Sequence, residues 1–446
     1  MSTAVPAGSR ERGITRISVE GYKSLRQPQS IAIKPLTIIA GVNSAGKSSI
    51  IQPLLLLKQT MEAPYDPGPL QLDGPNVSIT KIEQVLSRGP MPSEKFSVGI
   101  MVGDKETRLT FGKDPEGDIR VLEVSGWFVP EQQAPVTLTE HMTHAEIANV
   151  LPAATTGRGE ENPLDIRRFG GELAVIRDRS FLTLAVVLDR ETDELVLNLP
   201  RTSPALLESA ALRIIHLPAL RGNPRRTYRT TAIDGRYPGT FEAYTAGMVA
   251  AWQARDAKEK IRGLQRDLEE LGLTWTVEAR RLDDTQVELL VGRLPRVTRD
   301  GHLDVVNIAD VGFGVSQTLP VVVALLAAES DQLVYLEQPE IHLHPRAQVA
   351  FAQLVKRAVM RGVRVIIETH SAMFVRAVQT LVALHEIDQD DVVLHWFSRD
   401  SETGYTTVAS AELDQAGSFG DWPEDFDEVL LDVESRYLDA AGGGAE

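Results

Sequence analysis

Between Gly41 and Ser48 the chain reads Gly-Val-Asn-Ser-Ala-Gly-Lys-Ser, a G-x-x-x-x-G-K-S spacing between the apolar run LTIIA and the helical pattern SIIQPLLLLKQ. Each residue type suits phosphate. Glycines give the backbone the freedom to wrap N–H groups around an anion, and the start of a helix adds a positive dipole end. Lys47 then reaches the outer phosphates, and Ser48 offers a hydroxyl to Mg²⁺. Strand, loop and helix stand in the order this motif needs, which argues against a chance Gly-rich turn. Pro53 plays no part in the motif and predicts a kink, because proline removes a helix hydrogen bond.

Three further groups lie near the other end. Asp310–Pro320 reads DVGFGVSQTLP, a Gly-Phe-Gly turn leading toward a helix near Ser316 and Gln317; alone it is an ordinary strand-to-helix turn. LVYLEQPEIHLHP, Leu333 to Pro345, is an apolar strand ending in Glu337, with an amide, Gln338, where a second carboxylate is expected. VRVIIETHS is another apolar strand, ending near His370. A carboxylate at a strand end holds the water shell of Mg²⁺, and a histidine at the next strand end approaches a γ-phosphate.

In this order the four motifs resemble those of ABC-type ATPase heads, in the branch containing RecF, structural-maintenance-of-chromosomes and overcoming-lysogenization-defect proteins. More narrowly, the chain is similar to stand-alone bacterial AAA-family ATPases of the last group, which carry a WP-x-x-F element like Trp422, Pro423 and Phe426. The resemblance implies ATP and Mg²⁺ as ligands and a homodimer, or a higher homo-oligomer, in which two heads face each other head to tail. It puts Gly41, Asn43, Ser44, Ala45, Gly46, Lys47, Ser48 and Ser49 on the nucleotide. Gly314, Ser316 and Gln317 of the other copy then close on the γ-phosphate. Glu337 takes the Mg²⁺-associated acid position, Gln338 that of the water-activating glutamate, and His370 that of the γ-phosphate sensor. Gln84, or else Gln71, is the glutamine that touches Mg²⁺ and water, while Tyr22 and Lys23 fall near the adenine.

Gln338 is no carboxylate base, but an amide orients an attacking water by hydrogen bonding, and phosphoryl transfer depends chiefly on positioning and charge. Slow turnover follows. Glu340 supplies a carboxylate instead if the turn at Pro339 points it inward; a Gln338 that merely caps a turn is the structural alternative. His370 has a buried structural role as its alternative. His342 and His344 alternate as metal ligands do, yet no third ligand accompanies them. Arg221, Arg225, Arg226 and Arg229 beside Tyr228, and the pair Arg280 and Arg281, suit phosphates, so DNA is a possible partner; solvated charge on an acidic protein explains them as well. The DQDD run at Asp388 to Asp391 reads as a loop rather than a metal cluster.

These residues need a scaffold. At 446 residues and 43% hydrophobic content the chain supplies ample core, and with no cysteine it has neither disulfides nor thiolate chemistry. A net charge of −16 argues against a broadly basic, phosphate-binding surface. No apolar run reaches the roughly 18 residues of a membrane span, and no signal-like segment opens the chain, so a cytoplasmic protein with no membrane partner is expected. ITRISVEGY, SIAIKPLTIIAG, KFSVGIMVG, TRLTFG, FLTLAVVLD and ELVLNLP read as strands, and LTWTVEARR with TQVELLVGR as a pair. Ala243–Leu273 has helical spacing with interleaved charges and predicts one or two surface helices. Thr139–Asn162 predicts a short helix and a mobile loop.

The expected fold is α/β: a P-loop ABC-ATPase head with a mixed or parallel central sheet, an antiparallel β lobe and a helical insertion. It forms one discontinuous head over 1–446, with a β-rich lobe and P-loop at 14–135, an insertion at 136–300 holding helices within 243–273, and a C-terminal α/β lobe at 301–446. The resemblance implies a slow, dimeric ATPase switch that gates a partner protein or nucleic acid in anti-phage defence or DNA repair, acting with a separate effector. A non-hydrolytic ATP scaffold or a DNA clamp is the alternative.

Overall fold

The strand that leads into the Gly41–Ser48 loop is β3 (Leu36–Gly41), and all six of its residues are buried. Aliphatic and β-branched side chains suit a strand covered on both faces. The computed structural model describes residues 13–129, 132–151, 172–187, 195–198, 202–230, 235–293, 304–420 and 435–436. Around β3 runs a six-stranded sheet in the order β11 (Ile215–Leu217), β16 (Leu333–Glu337), β17 (Arg364–Glu368), β3, β18 (Val392–Arg399), β19 (Thr406–Glu412). The first five strands are parallel, and β19 pairs antiparallel with β18. The fold is therefore α/β with a mixed central sheet. β11 joins this sheet although it comes from within 136–300.

A second six-stranded sheet is antiparallel throughout, in the order β2 (Gln29–Ala32), β1 (Ile14–Glu20), β4 (Lys95–Val102), β5 (Lys105–Lys113), β6 (Ile119–Gly126), β7 (Val136–Thr139). Two smaller sheets join β8 (Glu172–Asp178), β9 (Phe181–Val187) and β10 (Leu195–Asn198), and β12 (Tyr228–Arg229), β13 (Val277–Arg281), β14 (Gln286–Gly292) and β15 (Val305–Asn307).

The central sheet separates two cores. On one side Leu36, Ile38, Val334 and Leu336 pack with α4 (Thr245–Ala254), α5 (Lys258–Glu270), α6 (Phe313–Ala327), α7 (Pro345–Val359) and α8 (Ala372–Ala383). On the other, Ile39 and Tyr335 pack with α1 (Lys47–Glu62), α3 (Ser203–Leu212) and the antiparallel sheet, while α2 (His144–Val150) lies against β8 of the three-stranded sheet. Each fully buried aliphatic side chain contributes about 1.5–3 kcal/mol, so these two layers fix the strand ends that carry the polar residues. All the parallel strands end at one edge, where open α/β sheets bind ligands.

Three local expectations change. Of the two helices in Ala243–Leu273, α4 is no surface helix: Ala246, Val249 and Trp252 lie in the core, and only α5 keeps an exposed charged face. The helix after the Gly-Phe-Gly turn begins at Phe313, three residues before Ser316, because Gly312 caps it. α1 runs on through Pro53. The loop expected after α2 and the element at Trp422, Pro423 and Phe426 lie outside the described residues.

Candidate functional site

The Gly41–Ser48 loop leaves β3 through Gly41 at φ 141° and turns through Ser44 at φ 61° and Gly46 at φ 92°. A Cβ on Gly41 would stand 2.1 Å from the Phe397 carbonyl oxygen and demand a backbone shift, and one on Gly46 would stand 2.5 Å from Thr406 Oγ1 on a left-handed backbone that disfavours any side chain. Gly46 caps α1 without a side-chain acceptor, which leaves first-turn N–H groups of α1 for an anion. Asn43 and Ser44 are exposed, Ala45 is buried with its carbonyl held by Thr406 Oγ1 at 2.7 Å, and Ser49 is buried in α1. Lys47 Nζ donates to the carbonyls of Gly41 (3.1 Å) and Val42 (2.9 Å). Burial pushes this ammonium below the usual lysine range, against the opposing pull of Glu368 and Glu340.

Beside the loop opens a cleft of about 730 Å³. Ser44, Gly46, Lys47, Ser48 and Ser49 line one wall, Lys23, Gln52, Gln84 and Arg88 another, and Arg399, Thr403 and Gly404 of the β18–β19 turn a third. Four cations around one concave site suit a polyanion with a bulky polar body. Gln84 lines the cleft with its side-chain oxygen taken up by Thr80 N and Oγ1, whereas Gln71 lies elsewhere and donates to the Asp73 carbonyl. Lys23 lines it too, held at 2.5 Å by Gln52 Oε1, while Tyr22 is buried behind it against Phe96.

The acids are arranged differently from their order in sequence. β17 lies between β3 and β16, so the strand-end acid nearest the phosphate loop is Glu368, not Glu337. Ser48 Oγ donates to Glu368 Oε1 (3.1 Å) and Oε2 (2.9 Å), and Tyr335 Oη donates to Oε2 at 2.9 Å. Burial raises the Glu368 carboxyl above the usual range, and the charge of Glu337, its register partner on β16, adds to the rise. Of Glu337, Glu340 and Glu368, only Glu368 lines the cleft. Glu337 is tied elsewhere: Oε1 meets His216 Nε2 at 3.0 Å and Oε2 accepts from Ala219 N at 3.4 Å, with Asn76 Oδ1 on the far ring nitrogen of His216.

Gln338 is half-buried, and its side chain has no hydrogen-bond partner among the described residues. Its backbone is left-handed at φ 42°, with its N–H donating to the Glu368 carbonyl at 2.8 Å. Such a conformation costs a non-glycine residue about 1 kcal/mol, and here it aims the chain end of β16 away from the sheet. Pro339 does turn Glu340 inward. One Glu340 oxygen accepts from Thr369 Oγ1 (2.8 Å) and His370 N (2.7 Å); the other is buried with no partner. Burial raises this carboxyl as well. The His370 ring is exposed, and desolvation together with Lys47 keeps it below the usual imidazole range.

Ser316 and Gln317 do not line the cleft. Ser316 Oγ donates to Phe313 O at 3.2 Å and Gln317 Nε2 to Gly222 O at 2.6 Å, so both side chains turn into their own chain. Gly314 packs at the His342 carbonyl, and Gly312 caps α6 without a side-chain acceptor, as Gly46 does for α1. Arg221 links this helix to the acids: buried, it donates to Gln317 O (3.2 Å) and Glu337 O (2.9 Å). Burial lowers its guanidinium to about 10 even with Glu242, Glu340 and Glu337 nearby. Arg221 is thus no solvated surface charge, and Arg226 is neutralised by both Asp310 oxygens. Arg225, Arg229 and Arg281 are exposed. His344 caps α7 and His342 stacks on Phe313, roles that account for both without a metal. Asp388–Asp391 forms a turn before β18, as expected.

Sequence reasoning passes over Glu368, and takes Arg221 only as one of a basic cluster, phosphate-binding or solvated, rather than as a buried strut. The signal for Glu368 is present in the sequence, an acid closing an apolar strand just as Glu337 does. For Arg221 there is none, since nothing in LRGNPRR separates a buried arginine from exposed ones.

Residues 252–376 match the family described as "AAA domain, putative AbiEii toxin, Type IV TA system". That segment holds α6, β16 and β17 but not the phosphate loop. No curated protein matches the chain. Similar solved structures include an SMC head bound to the C-terminal winged-helix domain of ScpA, with 13% identity and a TM-score of 0.48, covering 91% of this chain and 99% of that one. An SMC head from Pyrococcus furiosus with an extended coiled coil, bound to the C-terminal domain of ScpA, has 13% identity and a TM-score of 0.44, over 95% and 99%. The SMC head domain from Thermotoga maritima has 13% identity and a TM-score of 0.40, over 90% and 100%. Among the described residues no helix is long and apolar enough to cross a membrane. Over the matched segment, the chain is similar to an AAA-type ATPase domain.

Proposed function

We propose that the chain binds ATP with Mg²⁺ in the cleft beside Lys47, hydrolyses it slowly, and closes head to tail on a second copy as a switch. The observation that carries this is the phosphate loop itself. Its left-handed Gly46, uncapped α1 and Lys47 at the mouth of a cationic cleft form a preorganised anion cradle. Loop amides and Lys47 hold the triphosphate. The Ser48 hydroxyl and a strand-end carboxylate are hard oxygen donors that fit Mg²⁺, which when bound would neutralise charge on the outer phosphates. His370, neutral at pH 7 by its lowered pKa, donates one ring N–H toward the γ-phosphate; Glu340 fixes its backbone. Gln338 orients water without taking its proton.

The second copy is argued from what one chain lacks. The α6 start lies outside the cleft, and Val42, Leu220, Phe313, Ile341 and Met373, all beyond the ends of parallel strands or at that helix, are exposed apolar side chains. We read 1–446 as one discontinuous cytoplasmic head of the overcoming-lysogenization-defect-like group, gating an effector in phage defence or DNA repair. Phosphate release and ATP-dependent sizing test the reading on wild type, Gln338→Glu, Gln338→Ala and Glu340→Gln. No nucleotide binding refutes the function, and equal turnover in all four refutes the role of Gln338. The scaffold reading is favoured by the amide at 338; it predicts a stable dimer whose ATP stays intact for hours.

A further inference from the structure

The structure assigns the metal-side carboxylate to Glu368: we propose that Glu368, rather than Glu337, joins Ser48 in holding the divalent cation of the bound nucleotide. This rests on the phosphate-loop reading above. Three observations carry it. Both Glu368 oxygens lie within hydrogen-bond reach of Ser48 Oγ, the hydroxyl that the loop motif gives to the cation. Glu368 lines the cleft; Glu337 does not. Glu337 already spends one oxygen on the buried His216, itself backed by Asn76, and the other on Ala219 N.

The energetics agree. Glu337 and Glu368 are in-register neighbours on parallel strands, so both project to the same face of the sheet. Glu368 is 5% exposed. Its hydrogen-bond donors, the Ser48 and Tyr335 hydroxyls, are neutral, the Lys47 ammonium offsets only one of two adjacent carboxylates, and a further cation at this strand end would offset the other. Carboxylate and hydroxyl oxygens select a hard cation such as Mg²⁺ or Mn²⁺. Glu337 and His216 then act as a positioning pair that fixes the end of β16, from which Gln338 departs.

The test uses the full chain and a fluorescent non-hydrolysable ATP analogue, titrated in Mn²⁺ and again in EDTA. The readout is the ratio of the two affinities, which reports metal contact without turnover. Glu368→Gln should lose about tenfold or more of the Mn²⁺ gain, with an EDTA affinity equal to or above that of the wild type because the carboxylate no longer repels the phosphates, and Glu337→Gln should lose less. Glu368→Asp, which keeps the charge on a shorter arm, should fall between; it serves if the amide variant does not fold. Full Mn²⁺ gain in a folded Glu368 variant, or a larger loss in Glu337→Gln, overturns the assignment. A wild type that binds the analogue with no Mn²⁺ gain overturns it too, leaving the cleft reading intact. A wild type that binds no analogue at all overturns both.

Discussion

The start of α1 and the start of α6 are built alike and furnished oppositely. Each helix opens on a glycine cap with no side-chain acceptor. At α1 the surroundings are concave and polar, with Lys47, Ser48 and Glu368 already in mutual contact or close by. At α6 the start of the helix lies outside the cleft, with the apolar Phe313 54% exposed and Ser316 and Gln317 turned inward. One end is a formed cradle and the other an exposed apolar surface. The same backbone device therefore does two jobs, and what the side chains around it do, gather charge or offer apolar surface, decides which.

The sharpest way to break this contrast is to disable the finished end. Lys47→Ala should lower kcat/KM for ATP by about a thousandfold, because it removes a preorganised charge aimed at the transferring group. Steady-state phosphate release checks it. The fold should survive, since Lys47 makes its hydrogen bonds only to loop carbonyls.

Arg221 is the strut between the two ends, running from the α6 carbonyl of Gln317 to the β16 carbonyl of Glu337. Arg221→Met keeps volume but removes both guanidinium hydrogen bonds, to Gln317 O and Glu337 O, at a cost of about 2 kcal/mol. Denaturant unfolding would measure that loss. A variant as stable as the wild type would mean that the two ends are held by packing alone, and that the polar link is incidental.

The unfinished end is tested by Phe313→Asp. Its effect on monomer stability should be within about 0.5 kcal/mol, because the ring is exposed. Self-association in ATP should weaken by about tenfold or more, as for an aromatic anchor in an interface. Sedimentation with and without nucleotide separates the two quantities; unchanged association would remove the apolar rim from the dimer argument.

How much of this the sequence carries follows from how local each feature is. The β3–loop–α1 unit is legible because its glycines, lysine and serine sit within one octapeptide, and the alternation of LTWTVEARR and TQVELLVGR likewise writes a hairpin-like pair. The Ser48–Glu368 contact spans 320 positions and depends on β17 slipping between β3 and β16, which no periodicity records. Arg221 is illegible for another reason: its burial is decided by α6 and Glu337, elements about a hundred residues away. α4 misleads because the charged α5 that follows lends the stretch a surface pattern, while α4 itself carries no charged residue and is largely buried.

The smallest expected effect concerns Glu340, which stands between the two ends, close to Arg221 and bonded to Thr369 and His370 just after β17. Its carboxyl is raised above the ordinary value of 4.5, chiefly by burial. Between the unfolded and folded values the native state holds more protons than the unfolded chain, so stability falls as pH rises through that window and the deficit is complete above it. Glu340→Gln keeps an oxygen for both donors and cannot ionise. It should therefore be the more stable protein at about pH 8, by about 1 kcal/mol or less, with the gap closing as pH falls toward the ordinary carboxylate range. Paired thermal melts across pH read the difference directly. A wild type more stable than the variant at alkaline pH would mean that Arg221 and Lys47 outweigh burial, making Glu340 an ion-pair partner of both ends rather than a buried acid wedged between them.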